Sequence, residues 1–293
     1  MNPKLNVQVR EDKTFAPAER RMRDAVRATW YTQARQLCMI PIFVLAASTH
    51  VKVREKIIQE STKHGDMIEF GQFEDAYVHL SLKTKAIMEL HAQIERKTPH
   101  PVILVWTNLD GFFYPENLMT YIDQQGIDQI QKWMFGYCTC SGKCESKRGP
   151  IPFRVKGHKW YMPREVWPYR RYPHYCMGYA LVMSPGCAQP LYQAASRWTE
   201  ENLKIFWIDD VLFTGVLRLE SNISTSSRLD LFPFGSNGIR NCTKCVAMHV
   251  RNKPEAIYGQ WEIYKNETEY RHDRLAAEKY FYGPNSVKTR GRH

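Results

Sequence analysis

The chain has 293 residues, 43% of them hydrophobic and 13% aromatic, with a net charge of +11. That length and apolar share allow a substantial core and exclude a disordered chain. Its longest apolar stretch, Met39 to Ala47, contains Pro41 and falls short of the roughly 20 residues a membrane helix needs.

The polar start, Met1 to Glu11, is not a signal peptide. The chain is therefore expected to be soluble as written, or to have lost an anchor upstream. Residues 1–19 read as a polar lead-in, 20–264 as a single domain and 265–293 as a basic polar tail. Within the domain, Glu19 to Arg35 predicts a basic helix and Ile42 to Ala47 a strand. Val51 to Lys63 predicts a helix with Val53, Ile57 and Ile58 on one side. A short strand at Met67 to Phe70 precedes a long helix, Ala76 to Arg96, whose stripe Leu80, Ile87, Leu90, Ile94 has a period near 3.6. Lys83 falls inside that stripe, so its ammonium must snorkel to the rim or meet an anion.

A strand at 101–107 is followed by helices at Pro115 to Asp123 and Ile127 to Met134. Residues 150–175 are rich in Pro and aromatics and predict extended chain. Tyr179 to Met183 reads as a strand, and Pro185 to Trp198 and Asp209 to Leu219 as helices. Leu229 to Phe234 and Val246 to Val250 are β-prone, and Pro254 to Tyr264 is helical in pattern. Strands alternating with helices imply an α/β layered domain with no internal repeat.

Two apolar runs end in acid. Val102 to Trp106 breaks into Thr107, Asn108, Leu109 and Asp110, and Ile205 to Ile208 leads into Asp209 and Asp210. Carboxylates just past the ends of core strands tend to line the crevice where α/β sheets bind ligands, and an Asn-x-Asp tip offers oxygen ligands to a hard divalent cation. Turns favour the same residues, so the tips alone leave two solvated turns as an alternative. Nine Lys or Arg lie between Lys143 and Arg171 against Glu145 and Glu165. Such a patch suits nucleic acid, an anionic membrane, a nucleotide diphosphate or plain solvent.

Of the eight cysteines, Cys138, Cys140 and Cys144 cluster, and Cys242 and Cys245 form a CxxC pair. Zinc and disulfides both remain open on that spacing. The sequons at Asn222, Asn241 and Asn266 tilt toward a secretory lumen.

Several segments in order resemble a known family. Arg23-Asp-Ala-Val-Arg27-Ala-Thr29-Trp30 resembles R-x-A-I-R-x-T-W, and Phe43-Val-Leu-Ala46 is similar to F-L-L-G with Ala46 in place of glycine. Gly65-Asp66-Met-Ile and Phe73 to Thr84 resemble G-D-I-L and F-x-D-x-Y-x-N-L-T-L-K-T. Lys159-Trp160 and the run Tyr172 to Ser184 are similar to K-W and Y-P-x-Y-C-x-G-x-x-Y-x-x-S. Asp209-Asp210-Val211 to Gly215 resembles E-D-V-Y-x-G. This is the pattern of the β1,3-galactosyltransferase-like Golgi hexosyltransferases (glycosyltransferase family 31), over residues 20 to 260.

The resemblance implies a GT-A type fold, a central mixed sheet flanked by helices. It also implies inverting transfer from a UDP-sugar to a glycan on protein or lipid, a β1,3 linkage, and a divalent cation, usually manganese. By the same resemblance, Asp210 is the base and Asp110, Asn108 and His249 hold the metal. Arg27, Trp30, Asp66 and Lys83 lie near the nucleotide, and Trp160, Tyr175, Gly178 and Asp209 line the sugar pocket. The implied compartment is the Golgi, with other glycosyltransferases as partners and no nucleic acid. The tip departs from the family, with Asn-Leu-Asp where Asp-Asp-Asp is usual, and Asp209 stands for the usual Glu. The departure makes a weakened, glycan- or partner-binding relative the alternative.

Overall fold

The computed structural model describes residues 4–10, 16–126, 132–141, 149–233 and 242–266, with backbone alone for 4–10 and 16–18. Seven strands form the main sheet: β1 (Lys4–Arg10), β2 (Ile40–Ala47), β3 (Met67–Glu74), β4 (Val102–Asn108), β6 (Trp133–Cys138), β7 (Cys176–Met183) and β8 (Ser224–Ser227). Their spatial order is β3-β2-β1-β4-β7-β6-β8. The β3-β2-β1-β4 half is parallel, whereas β7 runs antiparallel to both β4 and β6. Two short strands, β5 (Gly111–Phe113) and β9 (Ala247–His249), pair antiparallel beside it. The helices are α1 (Ala16–Val26), α2 (Thr32–Gln36), α3 (Val51–His64), α4 (Leu80–Lys97), α5 (Pro115–Gln125), α6 (Ala188–Ser196), α7 (Glu200–Ile205), α8 (Asp209–Val211), α9 (Arg218–Glu220) and α10 (254–266). A π-turn at Arg27–Tyr31 joins α1 to α2, and another at Leu212–Leu217 joins α8 to α9.

β4 is buried along its whole length and apolar from Val102 to Trp106, because both its faces are covered. Ile103 and Val105 enter one core with Trp30, Phe43, Phe112 and Val182, while Leu104 and Trp106 enter the other with Val44, Leu181, Leu191 and Phe213. This is a mixed sheet flanked by helices, as the resemblance expects.

Three expectations change. Residues 4–10, read as part of a lead-in, form β1 between β2 and β4. The alternation Leu5, Val7, Val9 against Asn6, Gln8 is a strand signal, diluted by charged neighbours. Trp133 and Met134, expected to close a helix, begin β6 and pair with β7 and β8; residues 127–131 lie outside the described residues. Leu229 to Leu231 form a turn, and the neighbouring strand is Ser224–Ser227 instead; Phe234 lies outside the described residues. A polar strand at a sheet edge carries little propensity signal. On α3, Ile57 is buried but Ile58 is exposed.

The zinc reading is displaced. Cys138 is bonded to Cys176 and Cys242 to Cys245, and Cys140 is disulfide-bonded too. Among the described residues no group of three potential metal ligands forms, and no described helix is long and apolar enough to cross a membrane.

Candidate active site

The Asn-Leu-Asp tip lies where β4 ends and β5 begins. Thr107, opposite Ala180 on β7, sends its hydroxyl to the Tyr179 carbonyl at 3.1 Å. Gly111 lets the turn lie flat, since a Cβ there would meet the Thr107 hydroxyl and come 2.8 Å from the Tyr179 oxygen. Pairing of Gly111 with His249, and of Val250 N–H with the Asp110 carbonyl at 2.8 Å, brings the late histidine to the tip. His249 Nε2 lies 3.4 Å from Asp110 Oδ2, with both side chains about a quarter exposed. Asp110 Oδ1 is buried with no hydrogen-bond partner among the described residues. A carboxylate oxygen in that state beside an imidazole is a donor pair that fits a divalent cation. Asn108 is buried next to them.

The acid pair begins the helical stretch Asp209 to Glu220. Asp209 is buried and accepts the Thr84 hydroxyl at 2.6 Å, which ties the pair to α4. Asp210 is half-buried; its Oδ1 accepts Val211 N–H at 2.8 Å, and its carbonyl accepts the Thr214 hydroxyl at 2.6 Å. Thr214 also bridges to Cys176 at the start of β7, accepting from its N–H at 2.8 Å. Gly215 packs so close that an added Cβ would lie 3.2 Å from Tyr175. The Tyr175 phenol is pushed up by burial and then by the charge of Asp210, so it stays a neutral donor at physiological pH.

Both tips contact β7, the Asn-Leu-Asp turn through Thr107 at Tyr179 and the acid-pair helix through Thr214 at Cys176. Three residues of strand, about 10 Å, separate those levels. Gly178, half-buried, lies between them.

The nucleotide-side candidates are held by one another. Arg27 grips Asp66 through Nε and NH2 at 2.8 and 2.9 Å, while NH1 reaches Glu60 at 2.7 Å and Asp24 at 3.0 Å. Its guanidinium also lies 4.7 Å above the Phe43 ring. Trp30 is wholly buried, edge-on to Phe113, so it has no surface to offer a ligand in this conformation. Lys83 meets an anion, Asp75, at 2.6 Å, and Asp75 also accepts Ala46 N–H. Trp160 is 44% exposed and donates from Nε1 to the Tyr77 hydroxyl at 3.1 Å. Sequence reasoning missed Glu60, Asp75 and Thr84 as partners; an acid or hydroxyl on a helix gives no sign of which distant side chain it will meet.

Asn222 is exposed in a turn with φ of 52°, a conformation asparagine tolerates. Asn266 is exposed at the end of α10, and Asn241 lies outside the described residues.

The family profile described as galactosyltransferase matches residues 21–228, which span both acid tips. The chain belongs to that family. It is 29% identical over 210 residues to a Xenopus laevis lactosylceramide 1,3-N-acetyl-β-D-glucosaminyltransferase B, covering 69% of this chain and 51% of that one. It is 28% identical over 183 residues to human β-1,3-galactosyltransferase 2, covering 61% and 40%. With β-1,3-galactosyltransferase 5 of Pan paniscus it shares 25% over 252 residues, 83% and 76% of the two chains. The chain spans about half the length of the first of these relatives. Mouse xyloside xylosyltransferase 1 aligns over 85% of this chain and 97% of its own at 9% identity and a TM-score of 0.33, too low to carry an argument.

Proposed function

We propose that this chain carries the catalytic domain of an inverting, metal-dependent UDP-sugar:glycan β1,3-hexosyltransferase, transferring galactose or an N-acetylhexosamine in the Golgi lumen. One observation carries the reading: in a galactosyltransferase-family chain, the Asp110–His249 pair and the Asp209–Asp210 pair are both built against β7, at Tyr179 and at Cys176.

In this reading Asp210 accepts the proton of the acceptor hydroxyl as that oxygen bonds to the anomeric carbon and the bond to the diphosphate breaks on the opposite side. Asp209, anchored by Thr84, fixes the helix start that aims Asp210. Tyr175, neutral and packed at Gly215, orients a sugar hydroxyl. Asp110 and His249, with Asn108 beside them, would hold manganese or a similar cation, which supplies positive charge against the leaving diphosphate. Lys83 stays committed to Asp75 and supports the nucleotide side through β2.

Turnover of UDP-sugars with manganese, then with Asp210→Asn, tests the assignment. The substitution is expected to lower kcat by about 10²–10⁴-fold with donor KM little changed; undiminished turnover removes Asp210 as the base. A second reading, a weakened relative that binds glycan or a partner glycosyltransferase, is favoured by Asp110 being the sole carboxylate of its tip. Calorimetry with UDP separates the two, because the enzyme binds UDP more tightly with manganese and the weakened relative does not.

A further inference from the structure

β9 is three residues long and pairs with β5 in a two-stranded sheet, an arrangement with little stability of its own. Yet it delivers His249, whose Nε2 lies 3.4 Å from Asp110 Oδ2. Register decides what is delivered, since a slip by one residue presents Met248 or Val250 at the tip instead. The strand is secured from outside the pair. Val246 N–H donates to the Leu231 carbonyl at 2.8 Å, and Tyr114 N–H to the Val246 carbonyl at 2.9 Å. The Tyr114 hydroxyl donates to Met248 Sδ at 3.2 Å and accepts from Gln260 Nε2 at 2.9 Å.

The chain enters this strand through the Cys242–Cys245 disulfide. Cys245 is wholly buried, and its carbonyl accepts from Asn117 Nδ2 at 2.7 Å, which ties the bond to α5. Cys242 packs against the same core, while Thr243 and Lys244 between the two cysteines are exposed. So short a loop removes little freedom from an unfolded chain when it closes, so global stability is a minor part of what the bond supplies. Its effect is local. For β9 to slip along β5, Cys245 would have to leave its buried place and drag Cys242 with it. The oxidising lumen in which the proposed function places the chain keeps such a bond closed.

We infer that the Cys242–Cys245 disulfide is a positioning element of the cation site: it holds β9 in the register that sets the His249 imidazole beside Asp110, and so strengthens binding of the divalent cation. The inference rests on the reading of Asp110 and His249 as the cation's donor pair. A cation binds tightly where its donors already stand in place, because ordering them on binding subtracts from affinity. Asp110 follows β4 directly and is anchored by the main sheet. His249 comes from the weaker two-stranded pair, so the imidazole is the donor whose placement needs support.

Binding of manganese ion alone to the full chain, followed by the electron paramagnetic resonance of the free ion, reads the site without nucleotide, sugar or turnover. Cys242→Ala/Cys245→Ala is expected to raise the Kd by about tenfold or more. Asn117→Ala, which leaves both cysteines in place, is expected to raise it by about two- to threefold, and it decides the matter if the cysteine variant fails to fold. Leu191→Ala, buried in the core on the other side of the sheet, is expected to lower the unfolding midpoint and leave the Kd as it is. Hydrogen exchange over residues 246–250 is expected to quicken in the cysteine variant with no metal added. An unchanged Kd in the cysteine variant overturns the inference even if exchange quickens, because the bond is then a local staple only. An equal weakening in Leu191→Ala overturns it too, since any loss of stability would then loosen the site. Manganese binding that is lost in His249→Ala yet indifferent to the cysteines removes this inference and leaves the transferase reading standing. A wild-type chain that binds no manganese removes the cation pair itself, and the disulfide's role with it.

Discussion

Lys83 shows what a single residue discloses. Its place inside an apolar stripe announces that the ammonium needs a solution; only the folded chain shows that the solution is Asp75, eight residues upstream. His91, one helical face further on, was silent in the sequence. It is buried, and burial holds its imidazole down to about 4, against about 6.5 in an unfolded chain. Between those values the unfolded chain takes up a proton that the folded state refuses. The stability from a neutral His91 is therefore full above about pH 6.5 and declines toward pH 4, by about 3 kcal/mol in all. Glu95, 3.6 Å away, is itself pushed up by burial and opposes that decline. Urea unfolding followed from neutral to mildly acid pH should lose this dependence in His91→Gln and show it more steeply in Glu95→Gln; an unaltered slope in His91→Gln contradicts the assignment.

At the scale of elements, α1, α3 and the α3–β3 connection are joined by charge as much as by packing. Arg23 and Glu60, both essentially buried, form a two-pronged pair at 2.8 and 2.5 Å, and Arg27 extends it to Asp66. Burial alone would raise the Glu60 carboxyl, but the two guanidinium groups outweigh it and hold it down. Glu60→Gln leaves two guanidinium groups short of charge in a buried place. It is expected to cost about 3–5 kcal/mol in chemical denaturation; a loss under about 1 kcal/mol would mean that water or Asp24 replaces the carboxylate. Periodicity disclosed most of the helices and most of the long strands. It hid β1, β6 and β8, whose short or polar segments draw their strand character from neighbours rather than from propensity. It also concealed that the stretch resembling a nucleotide-side motif is largely engaged in this internal network.

Over the whole molecule, β7 is the strand on which the parts converge: it separates β4 from β6, receives the Asp110 turn at one level and the Asp210 helix at another, and is bonded to β6 through Cys138–Cys176. That bond closes a segment of 38 residues containing the Pro- and aromatic-rich stretch that follows residue 150. Replacing both cysteines by serine is expected to cost about 3–4 kcal/mol through the looser unfolded chain. Thermal unfolding of the double variant measures this; an unshifted midpoint would mean that the pairing of β6 with β7 alone holds the segment's ends. The residue order by itself determined that the chain folds as an alternation of strands and helices, that it carries the motifs of the galactosyltransferase family, and that acids end two apolar runs. Such features are local, written in spacing and residue type. Only the tertiary structure decided that β5–β9 pairing carries His249 to Asp110, that Trp30 is core, and that Cys138 bonds to Cys176 and Cys242 to Cys245. All but the Cys242–Cys245 bond depend on contacts between residues far apart in the chain, and no periodicity encodes which distant partner a side chain will meet.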